Sequence, residues 1–233
     1  MNKILCIRFS SIGDIILTSP IIRALKKRYP EAEIHIVTKG QFASLWSANP
    51  YVHEVHSYQG NLWSLANRLR KISFDAVVDL HKNVRSFLLS ALLLKIPYRI
   101  NKYTAERKHW VKTKINTLPQ KHLVDRYFDA LADLDIKNDQ QGLDYFIPKD
   151  QEINPADVGI QGSYIVYAIG GQHVTKVLSY PKMVELCERI SSKIVLIGDA
   201  KDAIIGERLA NLFPTKVINL CKQTSIGQSA SVM

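Results

Sequence analysis

The strongest constraint on this chain is the alternation of short β-branched runs with helix-length amphipathic stretches. "KILCIRF" (3–9), "EIHIVT" (33–38), "VHEVHSY" (52–58) and "DAVVDL" (75–80) read as strands. Helical patterns at 19–28, 40–48, 61–71 and 82–95 lie between them. Strands spaced by helices imply βαβ crossovers and a parallel, doubly wound sheet, so the expected class is α/β. Pro20 is costly inside a helix, which makes Ser19 a cap and Pro20 the helix opening; a kinked helix starting near Asp14 is the alternative. The pattern loosens over the basic stretch 99–126, and "HLVDRYFDALADL" (122–134) resumes a helical period.

Prolines and charges interrupt the periodicity over 147–162, and the alternation then restarts with strands at 164–169, 193–198 and 216–220 and helices at 181–191 and 201–212. The expected organisation is a first domain over 1–150, a linker at 151–162 and a second domain over 163–233. A doubly wound domain usually needs about 100–150 residues, and the sequence stops at "SIGQSASVM", where another helix should begin. The second domain is therefore expected to be partial.

Composition narrows the setting. Three scattered cysteines, Cys6, Cys187 and Cys221, form neither a disulfide framework nor a metal set, which suits a reducing cytoplasm. Arg8 and Asp14 interrupt the apolar start and no small-residue cleavage site follows, so a strand is read there rather than a signal peptide. The longest apolar run, "FLLSALLL" (87–94), is too short to span a bilayer. A net charge of +10 favours an anionic partner: nucleic acid, an acidic membrane surface or a phosphorylated small molecule.

Ligands of open α/β sheets bind beyond the carboxyl ends of the strands, and four loops there carry polar groups. In "SSIGD", which holds Ser10 and Ser11, Gly13 lets backbone approach a ligand, and Asp14 either caps a helix or accepts a proton from a bound hydroxyl. "DLHKNVRS" (79–86) presents His81, Lys82 and Arg85. The stretch 99–126 holds eight Lys or Arg against two acids, among them Lys102, Arg107 and Lys108. It is either a solvated charged face or a surface for phosphates, carboxylates or acidic headgroups. "GGQHVTKVLSYP" (170–181) combines Gly170, Gly171, Thr175 and Lys176 ahead of a helix, either a structural loop or a phosphate cradle. In "GDAKD" (198–202), Asp199 or Asp202 either meets ribose hydroxyls or caps the next helix. Neither a Walker A motif nor G-x-G-x-x-G occurs. No metal set is read: "DLD" (133–135) ends an amphipathic helix, and His53 and His56 would face opposite sides of a strand.

With those residues in view, "ILCIRFSSIGDIILTSPIIRALKKRYPEAEIHIVT" resembles the opening of glycosyltransferase family 9, the ADP-heptose:lipopolysaccharide heptosyltransferases. The shared features are an apolar strand, S-x-G-D, an apolar stretch with T-x-P, a basic helix and a second strand. "VVDLHKNVRS" and "GGQHVTKVLSYPKMVEL" are similar to later blocks of the family, in the same order. The resemblance implies a GT-B fold, two Rossmann-like domains facing a cleft, the first for the acceptor and the second for the nucleotide sugar. It implies inverting, metal-independent transfer of a heptose from ADP-heptose to the inner core of lipopolysaccharide. No cofactor is implied besides the ADP-sugar substrate.

By the same resemblance, Asp14 matches the general base and Lys176 the lysine that neutralises the leaving diphosphate. Gly170, Gly171, Thr175 and either Asp199 or Asp202 fall to the donor. Ser10, Ser11, Gly13, His81, Lys82, Arg85, Lys102, Arg107 and Lys108 fall to the acceptor. Implied partners are a nucleotide sugar, a lipopolysaccharide core or lipid A precursor, and the acidic inner face of the inner membrane, from a cytoplasmic location. Nucleic acid is not expected, because the aromatics form no stacking platform. The family's D-T-G-x-x-H block does not occur in the sequence, so the donor site is expected to be incomplete and transfer by the 233 residues weak or absent. The rival readings are a non-catalytic binder of an anionic glycolipid or other polyanion, and a GT-B transferase for another sugar nucleotide.

Overall fold

The computed structural model describes residues 1–233 and divides into two units, Met1–Phe146 and Ile147–Met233. In the first unit the chain runs β1 (Lys3–Ile7), α1 (Ile12–Ile16), α2 (Ser19–Arg28), β2 (Glu33–Lys39), β3 (Glu54–Tyr58), α3 (Leu62–Arg70), β4 (Ala76–Asp79), α4 (Val84–Leu92), β5 (Tyr98–Arg99), α5 (Thr104–Thr113) and α6 (Leu123–Asp129). All strand pairings are parallel, in the order β3-β2-β1-β4-β5. Successive residues of β1 and β2 are apolar on both faces because both faces are covered. Leu5, Ile7, Val37 and Val77 pack with Leu65, Ala66 and Leu69 of α3 and Leu89 of α4. The alternate residues Ile4, Cys6, Ile34 and Ile36 point the other way and are equally buried.

The connections have local causes. Asn61 caps α3 by accepting from Ser64 N at 3.0 Å, and Asn83 caps α4 by accepting from Ser86 N at 2.9 Å. α2 begins at Ser19, with Thr18 rather than Ser19 as its flanking cap and Pro20 at its second position. Ser19 Oγ is committed elsewhere, accepting from Asp144 N at 2.8 Å, while Thr18 Oγ1 donates to Ile15 O. The helical stretch expected at 40–48 is a 3-10 turn over Gly40–Leu45. Buried Arg23 of α2 binds Asp139 and Asp144, which fastens the end of the first unit back onto this helix.

The second unit runs β6 (Tyr164–Ala168), α7 (Tyr180–Arg189), β7 (Lys193–Ile197), α8 (Ala203–Leu212), β8 (Val217–Asn219) and α9 (Ile226–Ser231), with a parallel sheet ordered β6-β7-β8. Met183 and Cys187 of α7 and Leu209 of α8 pack on Ile194, Leu196 and Val217. The stretch expected as a linker, 151–162, belongs to this unit and contains a 3-10 turn at Pro155–Val158. Ile153 N donates to Ser231 Oγ at 2.9 Å, joining that stretch to α9. Cys6, Cys187 and Cys221 are buried free thiols whose ionisation burial pushes upward, Cys221 to about 11. No helix is long and apolar enough to cross a membrane.

Candidate active site

The strand order places a topological switch at β1 and β4. The chain leaves β1 toward β2 and β3 on one side, whereas β4 and β5 lie on the other, so the loops after β1 and β4 diverge and leave a crevice between them. "SSIGD" and "DLHKNVRS" are those two loops.

Arg8, 8% exposed, ties them together. Its Nε donates to Ser10 O at 2.9 Å, its Nη1 to Leu80 O at 2.6 Å, and its Nη2 lies 2.7 Å from Asp14 Oδ2. Asp14 sits in the first turn of α1 and accepts from Ser11 N at 3.4 Å and Ser11 Oγ at 3.3 Å, again on Oδ2. The capping role is thus present, yet every contact of the carboxylate uses one oxygen. Oδ1 has no partner, and the side chain is 37% exposed. Gly13 is beside it, and a Cβ there would meet nothing within 4 Å. Packing therefore does not account for this glycine.

The second loop is built on Asp79, which is completely buried at the end of β4. Its Oδ1 accepts from His81 N at 3.0 Å and Lys82 N at 2.8 Å; its Oδ2 accepts from Ser86 Oγ and Arg99 Nε, each at 2.8 Å. These bonds hold Lys82 in a left-handed conformation (φ 44°), and the His81 ring stands edge-on to Phe9. Burial, then the charges of Arg8 and Lys102, lower the His81 imidazole to about 4, so it is neutral near pH 7. Its buried Nδ1 has no partner. Burial and Arg8 also lower the Lys102 ammonium, with Asp79 and Asp14 opposing. Tyr127 of α6 completes the surroundings of Arg8 and Asp14; its phenol is pushed up to about 12 by burial, and its hydroxyl is unpartnered.

The expected acceptor residues thus fall into groups. Ser10, Ser11, Gly13, His81 and Lys102 gather around Arg8 and Asp14. Arg107 and Lys108 are on exposed α5 and, with Lys102, Thr104, Val111 and Lys112, line an open groove of about 350 Å³. Arg85 is turned aside: its guanidinium stacks on Tyr58 at 4.9 Å and Phe9 at 5.5 Å. Lys82 is exposed. Sequence reasoning missed Arg8, Asp79 and Tyr127 as parts of this site. Arg8 and Asp79 did leave a signal, as the charges that flank apolar strands.

In the second unit the loops after β6 and β7 meet over Asp202. A Cβ at Gly170 would lie 2.0 Å from Asp202 Oδ2, and one at Gly198 would lie 2.7 Å from it, so both positions are glycine by close approach. Asp202 Oδ2 accepts from Asp199 N at 2.9 Å, and Asp199 Oδ1 accepts from Lys201 N at 2.7 Å. Gly171, Thr175 and Lys176 are exposed; Lys176 closes a 3-10 turn at Val174–Lys176 and makes no ion pair.

One side-chain group departs from expectation. His53 and His56 were expected to point apart along one strand. β3 begins only at Glu54, and β2 brings His35 between them, with ring centroids 5.2 Å from each.

The model of the family described as glycosyltransferase family 9 (heptosyltransferase) matches residues 62–233. The chain belongs to glycosyltransferase family 9. Lipopolysaccharide heptosyltransferase 3 of Escherichia coli K12 is 27% identical over 140 residues, covering 53% of this chain and 40% of that protein. Lipopolysaccharide heptosyltransferase 1 of Pseudomonas aeruginosa is 25% identical over 217 residues, covering 82% of this chain and 58% of that protein. The chain spans about half the length of such curated relatives. Among solved structures, a family 9 glycosyltransferase of Veillonella parvula superposes with a TM-score of 0.82 at 18% identity, covering 99% of this chain and 72% of that one. The E. coli ADP-heptose lipopolysaccharide heptosyltransferase II gives 0.73 at 22%, covering 99% and 76%. These likenesses establish the fold, that of the GT-B glycosyltransferases, with two Rossmann-like units.

Proposed function

We propose that the chain is the acceptor domain and part of the donor domain of an inverting glycosyltransferase that moves a heptose from ADP-heptose to the inner core of lipopolysaccharide. The observation that carries this is the Asp14 carboxylate at the switch point, held through Oδ2 by Arg8 and Ser11 with Oδ1 left over. In the reaction an acceptor hydroxyl attacks the anomeric carbon, its proton passes to Asp14 Oδ1, and the bond from that carbon to the diphosphate breaks. A carboxylate is a weak base toward a sugar hydroxyl, but the hydroxyl acidifies as the new bond forms. The diphosphate leaves with more negative charge than it had. Unpaired Lys176 and the amides following Gly170 suit that charge, and their contribution grows toward the transition state. Asp199 and Asp202 fold the loop beside this cradle, with Asp202 committed to backbone and Asp199 offering its remaining oxygen to the ribose.

The acceptor carries anionic groups, and Lys102, Arg107 and Lys108 supply the opposing charge around one groove. Trp110, Val111 and Ile115, exposed among those bases, suit peripheral contact with the acidic cytoplasmic face of the inner membrane.

The test is transfer from ADP-heptose to a lipopolysaccharide core acceptor by a protein that joins these residues to a complete family 9 donor domain, with acceptor binding measured on the 233-residue chain alongside. Asp14→Asn should lower turnover by about 10²–10⁴-fold while acceptor binding is retained. Near-normal turnover in that variant sinks the base assignment. Preference for another nucleotide sugar in a donor panel sinks the heptose assignment, and failure to bind the acceptor sinks the acceptor reading.

A further inference from the structure

The N-terminal ends of β2 and β3 lie at the edge of the first sheet opposite the Asp14 crevice. Register pairs His35 with Glu54, and two further histidines and a second glutamate converge there. We propose that Glu33, His35 and His53 form a binding site for a first-row divalent cation, best suited to Zn²⁺, that clips edge strand β3 to β2.

Spacing is the first argument. The ligand atoms of Glu33, His35 and His53 lie within 4.8 Å of one another, and Glu33 Oε2 is 3.5 Å from His35 Nε2. Tetrahedral zinc with bonds of about 2.0–2.2 Å sets neighbouring ligand atoms about 3.3–3.6 Å apart. Small rotations of exposed His53 and half-exposed Glu33 would complete the set, and solvent can fill a fourth position.

Tautomers are the second. His35 is 2% exposed, and its Nε2 is buried with no hydrogen-bond partner. Its Nδ1 lies 3.0 Å from His56 Nε2, and His56 Nδ1 lies 3.4 Å from Glu54 Oε1. With His56 Nδ1–H directed at the Glu54 carboxylate, His56 Nε2 must accept and His35 Nδ1 must donate. His35 Nε2 is then a bare lone pair facing the Glu33 carboxylate. The opposite assignment sets a bare His56 Nδ1 against Glu54 and stretches His35 Nε2–H to Glu33 over 3.5 Å, too long for a good hydrogen bond.

Two acceptors face each other, and a cation between them resolves the conflict. Lys3 Nζ, 3.3 Å from Glu33 Oε2, neutralises the carboxylate alone and can turn to solvent. The relay from Glu54 through His56 to His35 is what orients a metal-bound imidazole. Phe74 walls the His35 ring at 5.1 Å and limits its rotation away from Glu33. A nitrogen and carboxylate set with no thiolate suits zinc among the common divalent ions.

The experiment titrates Zn²⁺ alone into the full 233-residue chain by calorimetry and repeats the titration with Co²⁺ for its visible spectrum. One equivalent should bind, with tetrahedral Co²⁺ bands and no sulfur charge-transfer band, and Zn²⁺ should raise the thermal transition. His53→Ala, an exposed change that keeps the fold, should abolish the thermal shift and weaken binding by about 100-fold or more, and His56→Ala by about 10–100-fold. His109→Ala, at an exposed histidine on α5, should change neither. Absence of stoichiometric uptake, uptake unchanged in His53→Ala, or a thiolate band would overturn the proposal.

Discussion

Replacing Asp79 should damage the first unit more than any other single change at the switch point. The carboxylate is completely buried and accepts four hydrogen bonds, from Arg99 Nε, Ser86 Oγ and the amides of His81 and Lys82. Truncating one partner of a buried ion pair costs about 3–5 kcal/mol, because the other charge stays behind. Arg99 is 24% exposed and recovers some hydration, while its Nη2 is already buried without a partner. The Lys82 amide can rehydrate, whereas that of His81 is partly enclosed. We therefore expect Asp79→Ala to lose about 3–4 kcal/mol, a large part of the roughly 5–15 kcal/mol of a typical domain. Asp79→Asn keeps the volume and the amide bonds but loses the charge opposite Arg99, so about 1.5–3 kcal/mol is expected. The three tryptophans, Trp46, Trp63 and Trp110, all belong to the first unit, so urea unfolding followed by tryptophan fluorescence reports on that unit. With a slope of about 1–3 kcal/mol per molar urea, a loss of 3 kcal/mol moves the midpoint down by about 1–3 M. Midpoints of Asp79→Ala and wild type within about 0.3 M, at equal slope, would refute the claim that this carboxylate holds the loop.

Two further outcomes follow from the same geometry. His81 faces Arg8 from the end of β1, Asp79 from β4, Arg85 from α4 and Lys102 beyond β5, and stays neutral in the fold down to about 4. The unfolded chain takes up this proton below about 6.5. Stability is therefore fully present above that value and falls as pH drops toward about 4, with a slope of at most about 1.4 kcal/mol per pH unit for this one proton. His81→Asn should flatten that limb of the midpoint-against-pH curve, and superimposable curves would count against it. In the second unit, Gly170→Ala drives a Cβ to 2.0 Å from Asp202 Oδ2 and should cost about 1–3 kcal/mol. Adding Asp202→Ala should recover part of that loss in circular-dichroism melts, and strict additivity of the two changes would exclude the clash.

What the sequence revealed and concealed divides along physical lines. Buried parallel strands need continuous apolar runs, so six of the eight strand positions in the two sheets were legible along with their crossovers; β3 was legible too, begun two residues early. Its start is misread because Val52 N is already used in a turn to Asn49 O, a bond that no local propensity reveals. Strand β5 is only two residues long and leaves almost no pattern. Helix α5 was lost for a different reason: it buries no residue and so has no apolar stripe to betray its period. The 3-10 turn at 40–45 has apolar residues at helical spacing, and its distinction from an α-helix lies in bonds such as Trp46 N to Ala43 O.

The two sites illustrate why residue roles need more than motif. Asp14 stands out because a carboxylate after an apolar strand is conspicuous. Arg8 does not, because its meaning comes from Leu80, which only the β1–β4 pairing brings to its side. The histidines make the same point more sharply. Read along one strand, His53 and His56 point apart; read across the β2–β3 register, His35 stands between them and Glu33 and Glu54 close the cluster. In a parallel sheet the neighbours that create chemistry are dozens of residues apart in sequence, and register sets which side chains share a face. A one-residue slip of β3 against β2 would turn His56 to the other face and break the relay to His35. The histidine cluster is thus a sensitive reporter of that pairing, independent of the crevice at the far end of the same strands.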